Sequence, residues 1–225
     1  MTDAQAASDH HADARKCMVD SQIRPNKVND PRILAAMRHL PRERFLPADR
    51  DALAYADEDV PLGHGRFLME PMVLARLLQI AEPREGESAL VVGAGTGYGA
   101  AVLSQCGPRV TAVEEDRGLL ALARDALGAE APSVTLVEGP LAAGWATGAP
   151  YDIILIEGAV REIPDAIGKQ LKIDGGRLVT VIAGPGRTNQ AVLAEATPFG
   201  LRAQAVFDCG TPALPSLRPA PEFVF

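Results

Sequence analysis

The sequence predicts an α/β fold: a mostly parallel, twisted sheet with helices on both faces, preceded by an N-terminal helical extension. Three observations carry this. From Ser88 to Ala183, apolar runs of strand length alternate with helical patterns, the signature of successive βα units. Runs such as IILI (153–156) and RLVTVIA (177–183) are nearly continuous in apolar character, which suits strands buried on both sides. The glycine-rich stretch VVGAGTGYG (91–99) joins a strand to a helix, where backbone amides gather at a helix N-terminus.

The elements follow in order. Residues 1–16 are small, polar and contain the adjacent His10 and His11; residues 1–11 read as disordered and 1–16 as a flexible N-terminus. A short helix is expected from about Ala12 to Ile23, ending before Pro25. Asp30 and Pro31 start a second helix as N-cap and first residue, and Ile33, Leu34, Met37 and Leu40 give it one apolar face. Five acids between 49 and 59 (Asp49, Asp51, Asp57, Glu58, Asp59) mark a solvated loop. Residues 60–71 (VPLGHGRFLMEP) are bracketed by glycine and proline and read as a loop. MVLARLLQIA (72–81) is a broadly apolar helix.

Strands are then expected at 89–92, 110–114, 134–137, 151–156 and 177–183, with helices at 98–105, 117–127 and 162–171. Two further strands are expected near 191–194 and 203–207. Residues 211–225 hold four prolines and read as an edge strand or a strap across the sheet. The whole divides into the N-terminal helical region (17–82), the core (83–185) and the C-terminal strands (186–225) of one domain, 17–225.

Composition narrows the function. Of 225 residues, 47% are hydrophobic and 23% charged, ordinary for a globular chain. A chain of this length buries roughly 70% of its unfolded surface and needs no staples. No apolar run approaches the ~18 residues of a membrane span. The balance of 22 basic and 29 acidic residues, net −7, excludes a general nucleic-acid footprint. Cys17, Cys106 and Cys209 are odd in number and widely spaced, so buried reduced thiols are expected rather than a disulfide framework or metal site. With no secretory signal pattern, a cytoplasmic location is the default.

The glycine loop carries the chemistry. Gly93, Gly95 and Gly97 alternate, and the position that a dinucleotide fingerprint reserves for its third glycine is Tyr98, which argues against hydride transfer. The pattern G-x-G-x-G instead fits a nucleoside-binding loop. Its companion is an acid closing the next strand ~20 residues on, to accept hydrogen bonds from ribose hydroxyls. Glu114 ends VTAVE, 21 residues after Gly93, and a carboxylate offers two oxygens to two adjacent hydroxyls.

On these residues, together with DPRILAAMRHLPRERFLP (30–47), YADEDVPLGHG (55–65), Pro71, VEGPLAAGW (137–145), PYDIILIEGA (150–159) and QLKIDGGRLV (170–179), the chain resembles the protein-L-isoaspartate (D-aspartate) O-methyltransferases over most of residues 17–185. The resemblance implies a Rossmann-like class I methyltransferase fold. It implies methyl transfer from S-adenosylmethionine to the carboxylate of isoaspartyl residues in proteins, with S-adenosylhomocysteine as product and no metal. Gly93, Ala94, Gly95, Gly97, Glu114, Glu115, Glu138 and Gly139 would hold the cofactor. His64, Arg66 and Met69 occupy the positions nearest the acceptor.

Three positions depart from the family's pattern. Its loop before Pro71 reads like G-Q-T-I-S-Q-P; here Phe67 and Met69 replace the hydroxyl residues, and neither donates a hydrogen bond. Arg66 could compensate by pairing with a carboxylate. Val91 stands where the family carries an acid toward the methionine end, and Pro140 where it carries an aspartate toward the adenine. Two alternatives stay open: a non-catalytic relative acting as a binding module, and a methyltransferase with another acceptor.

Overall fold

The computed structural model describes residues 3–184 and 188–217. The N-terminal third is helical and irregular. Helix α1 (Asp3–Cys17) runs into a π-helical turn, Met18–Ile23, that buries Met18, Val19 and Ile23. The segment expected to be disordered is therefore helical from Asp3. Its alanines favour helix intrinsically, but it has no apolar stripe by which a helix is recognised. Helix α2 (Pro31–His39) starts as expected, with Asp30 accepting from the Arg32 amide. The stretch expected to be a loop at 60–71 is instead an antiparallel hairpin of β1 (Val60–Gly63) and β2 (Arg66–Leu68). Gly63, His64 and Gly65 all have positive φ at its tip, the conformation that glycine adopts without strain. Helix α3 (Pro71–Ala81) buries Val73, Leu74, Leu77 and Leu78.

The strands β3 (Ser88–Val92), β4 (Arg109–Glu114), β5 (Thr135–Glu138), β6 (Ile153–Val160), β7 (Arg177–Ile182), β8 (Asn189–Thr197) and β9 (Gly200–Cys209) form one sheet in the order β5-β4-β3-β6-β7-β8-β9. Pairings among β3–β7 are parallel, and those of β7 with β8 and β8 with β9 are antiparallel. Helices α4 (Tyr98–Gln105) and α5 (Arg117–Glu130) follow β3 and β4. The helix expected at 162–171 is a single turn, α6 (Asp165–Gly168). Pro164 and the glycine at its end confine it. The strands near 191 and 203 are longer than expected and form one hairpin.

A strap after β9 crosses the end of β6. The Ala159 amide donates to Pro212 O and the Leu214 amide to Ala159 O, both at 2.9 Å. Phe223–Phe225 lie outside the described residues. Cys106 is buried and Cys209 half-buried, but Cys17 is exposed, contrary to the expectation of three buried thiols.

Two apolar clusters flank the sheet, the larger shared with α2 to α5 and the N-terminal segment. Within it lies a charge. Arg42 is fully buried. Its Nε donates to Ala54 O and its Nη2 to Met69 O, both at 2.8 Å, and the guanidinium lies 4.8 Å from the Tyr98 ring centroid. It ties three irregular segments together. Arg42→Met keeps the volume but strands two buried carbonyls, each worth about 1–3 kcal/mol. The expected loss is about 2–5 kcal/mol, read as a lower urea midpoint at unchanged m-value. An unchanged midpoint would show that Arg42 is no tie.

Candidate functional site

Strand order reverses between β3 and β6. In open α/β sheets, ligands bind in the crevice at the carboxyl ends of strands at such a point. The glycine loop lies there. Gly93, Gly95 and Gly97 all have positive φ, so each position favours glycine. They do not all face a ligand. A Cβ on Gly97 would stand 2.8 Å from Leu127, so this glycine lets α5 pack close. Gly93 is covered by Leu214 of the strap and by Arg66, and Gly95 by Leu62 of the hairpin.

Glu114 is 0% exposed and Arg66 5%. Arg66 Nη1 donates to Glu114 Oε1 at 2.6 Å and Nη2 to Oε2 at 2.9 Å, with a further bond from Nη2 to Gly93 O at 2.9 Å. Glu114 Oε2 also accepts from the Gly95 amide at 2.7 Å, and Oε1 from the Glu115 and Asp116 amides at 3.0 Å. Such bidentate charge-assisted pairing is among the strongest polar contacts. Both oxygens expected to meet ribose are thus engaged inside the chain.

A second contact closes the hairpin over the same turn. His64 Nδ1 lies 2.5 Å from Asp116 Oδ2, while Asp116 Oδ1 caps α5 through the Gly118 and Leu119 amides. His64 is thus a structural partner at the hairpin tip, exposed to solvent.

Behind the hairpin lies a small cavity of about 10 Å³, lined by Asp59, Gly65–Phe67, Met69, Glu157, Gly158 and the strap residues 211–214. Met69 is buried and contributes an apolar wall. Arg66 Nε, Glu157 Oε2 and Thr211 Oγ1 are buried without a hydrogen-bond partner. Burial pushes the Glu157 carboxyl up to about 8, against the pull of Arg42 and Arg66. Burial, with Asp57 and Asp59 nearby, raises Glu70 to about 7. Neither Glu157 nor Thr211 stood out in the sequence pattern. An acid inside the buried run IILIEGA was the available signal.

On the far side of Glu114, Glu115, Glu138, Gly139 and Pro140 line an open recess. Glu115 accepts from the Leu141 amide at 3.3 Å, and Glu138 pairs with Arg117 at 2.9 Å. Ala94 is buried, its amide bonded to Val113 O at 3.1 Å. Val91 is buried in β3. Among the described residues, no His, Cys, Asp and Glu group is arranged to hold a metal, and no helix is long and apolar enough to cross a membrane.

The family model of protein-L-isoaspartate(D-aspartate) O-methyltransferase matches residues 13–197. The chain belongs to this family. It is 40% identical to the protein-L-isoaspartate O-methyltransferase of Methylorubrum populi over 173 residues, 77% of this chain and 81% of the relative. It is 38% identical to that of Methanoregula boonei over 183 residues, 81% and 84% of the two chains. A solved protein-L-isoaspartate O-methyltransferase superposes with a TM-score of 0.76 at 26% identity, covering 90% of this chain and 67% of that one. A Plasmodium falciparum structure with S-adenosyl-L-homocysteine bound shares the fold, at a TM-score of 0.72 and 17% identity over 90% and 98% of the chains.

The residues expected to hold a nucleoside are only partly accessible. The recess beside Glu115 and Glu138 is open. The Glu114 carboxylate and the glycine loop are covered by Arg66, Leu62 and Leu214. An adenosyl group would fit these residues only with the 60–68 hairpin and Leu214 of the strap withdrawn.

The hairpin's second contact makes its closure pH-dependent. The bond to Asp116 raises His64, and the same bond lowers Asp116. The His64 contribution is fully present below the ordinary histidine value of ~6.5 and is lost as pH rises through the raised folded value. The Asp116 contribution is present above ~3.9 and is lost as pH falls through the lowered one. Closure is thus tightest between roughly pH 4 and 6.5. Amide exchange at 63–68, corrected for its intrinsic rate, should accelerate from pH 6 to 8. Because Glu70 and Glu157 titrate nearby, the control is His64→Asn, which tolerates positive φ and should abolish the acceleration. If it persists in His64→Asn, another group is responsible.

Proposed function

We propose that this chain is an S-adenosylmethionine-dependent carboxyl O-methyltransferase of the protein-L-isoaspartate type. The observation that carries the reading is the glycine loop bonded through Gly95 to a strand-ending Glu114 at the switch point of the sheet. In this reading residues 17–225 form one methyltransferase domain. The backbone of Gly93, Ala94 and Gly95 cradles the cofactor, Glu114 receives the ribose, and Glu115, Glu138 and Gly139 border the adenine. Gly97 serves by letting α5 pack. The acceptor is the carboxylate of isoaspartyl residues in proteins, and the free thiols suit a cytoplasmic setting.

When bound, the cofactor supplies a methyl group already activated on a sulfonium. A carboxylate acceptor is ionised at neutral pH and needs no general base. The chain's own residues have to bind, orient and exclude water, and alignment alone can supply ~7–11 kcal/mol. Phe67 and Met69 exclude water but offer no donor; Arg66 and Thr211 bring donors to the acceptor cavity, beside the carboxyls of Asp59 and Glu157.

One observation favours a second reading, a binding module without catalysis. Arg66 fills the ribose position, and Val91 and Pro140 lack the family's acids. The two readings separate in one assay. Protein is incubated with methyl-labelled S-adenosylmethionine and an isoaspartyl peptide. A base-labile methyl ester is expected on that peptide and not on its aspartyl isomer. No ester, together with no S-adenosylhomocysteine binding at millimolar concentration by folded protein, would leave the binding module.

A further inference from the structure

Arg66 stands between two parts of the site. Its terminal nitrogens hold Glu114 and the Gly93 carbonyl. Its Nε is buried with no partner, as is Thr211 Oγ1, and both residues line the acceptor cavity. Arg66 is the one cation among the residues lining that cavity. The Asp59 carboxylate there is already engaged by the Glu70 amide. Among the described residues, an anion entering the cavity therefore meets Arg66 as the one cation that lines it.

We propose that Arg66 is a positioning residue shared in turn by Glu114 and the acceptor's carboxylate, so that acceptor binding frees Glu114 for ribose. The proposal rests on the methyltransferase reading above. Its logic is exchange. Stripping a buried arginine from its carboxylate leaves two uncompensated charges, which is strongly unfavourable. Handing the same guanidinium to another carboxylate leaves Arg66 paired and exposes Glu114 to a ligand that also satisfies it. One fork cannot grip two carboxylates by the same pair of nitrogens. Leu62 covers Gly95 from the same hairpin that carries Arg66, so a hairpin that follows Arg66 uncovers Gly95 and the carboxylate together, while Leu214 of the strap stays over Gly93. The positive-φ residues Gly63 and Gly65 flank its tip. An acceptor-first binding order follows.

The test is calorimetric titration of the full chain with S-adenosylhomocysteine, with and without a saturating isoaspartyl peptide. Without peptide, the wild type should bind at least 10-fold more weakly than Arg66→Leu. Peptide should raise the wild-type affinity at least 10-fold and leave that of Arg66→Leu unchanged. Amide exchange at 60–68 of the wild type gives an arm free of any variant: peptide alone should accelerate it. Equal micromolar affinity in both proteins, with no effect of peptide, would overturn the shared-arginine proposal and leave the methyltransferase reading standing. No binding by either protein, peptide present, would overturn both. Should Arg66→Leu not fold, the peptide effect on wild-type affinity and exchange decides alone.

Discussion

The buried pair of Arg66 and Glu114 is the contact on which the site's arrangement depends. Glu114 closes β4 and, through its two oxygens, fixes the Gly95, Glu115 and Asp116 amides. It thereby sets the glycine loop after β3 and the turn into α5. A carboxylate with no exposure and three amide donors still carries its charge in a medium that solvates it poorly. The arginine supplies the counter-charge, and its own burial is made tolerable by the same contact. Because Arg66 belongs to a hairpin in the N-terminal third, the pair also fastens that region to the sheet. Thr96 adds to this by donating to Phe45 O at 2.6 Å. The N-terminal extension is thus part of the site.

Steric fit does the rest. Gly97 admits Leu127, Gly99 lies against the Glu157 carboxyl, and Gly158 receives Leu214. At each a methyl group would approach another atom to within 3 Å, closer than packed atoms approach. Two of these glycines belong to the glycine-rich stretch 91–99, yet their neighbours are the chain's own side chains. A glycine motif specifies close approach; what approaches depends on the rest of the fold.

This explains which features the sequence disclosed. The parallel core was legible because buried strands are apolar throughout and turn residues punctuate them; β3, β4 and α4 start or end within a residue or two of expectation. Asp30 and Pro31 announced α2. The hairpin at 60–68 was not legible, because its strands are too short to show alternation and its glycines read equally well as loop. Helix α1 lacked the apolar stripe that marks a helix. Spacing singles out Gly95 and Glu114, and a hydrogen bond joins them. The pairing of Glu114 with Arg66 depends on a tertiary contact across 48 residues, which no local pattern encodes. Glu157 sits inside an apolar run, where an acid among isoleucines is itself an anomaly.

The departures from the family pattern also have a common geometry. Val91 pairs in register with Leu155 of β6. Glu157 lies two residues beyond Leu155, so strand alternation puts it on the same face as Val91, displaced one strand over and toward the carboxyl end. The pairing of β6 with β7 slips between Leu155 and Ala159, and within that slip Glu157 comes against the first turn of α4. β6 thus carries an acid where β3 has none, within reach of the field of Arg42 and Arg66. Likewise the hydroxyls missing at Phe67 and Met69 leave Arg66 beside them and Thr211 on the strap as polar lining. Arg66, Glu157 and Thr211 thus line one cavity, and Arg66 alone of the three also reaches the Glu114 carboxylate and the Gly93 carbonyl of the glycine loop. A single guanidinium therefore couples the cavity to the loop, so a change of charge on either side is felt on the other.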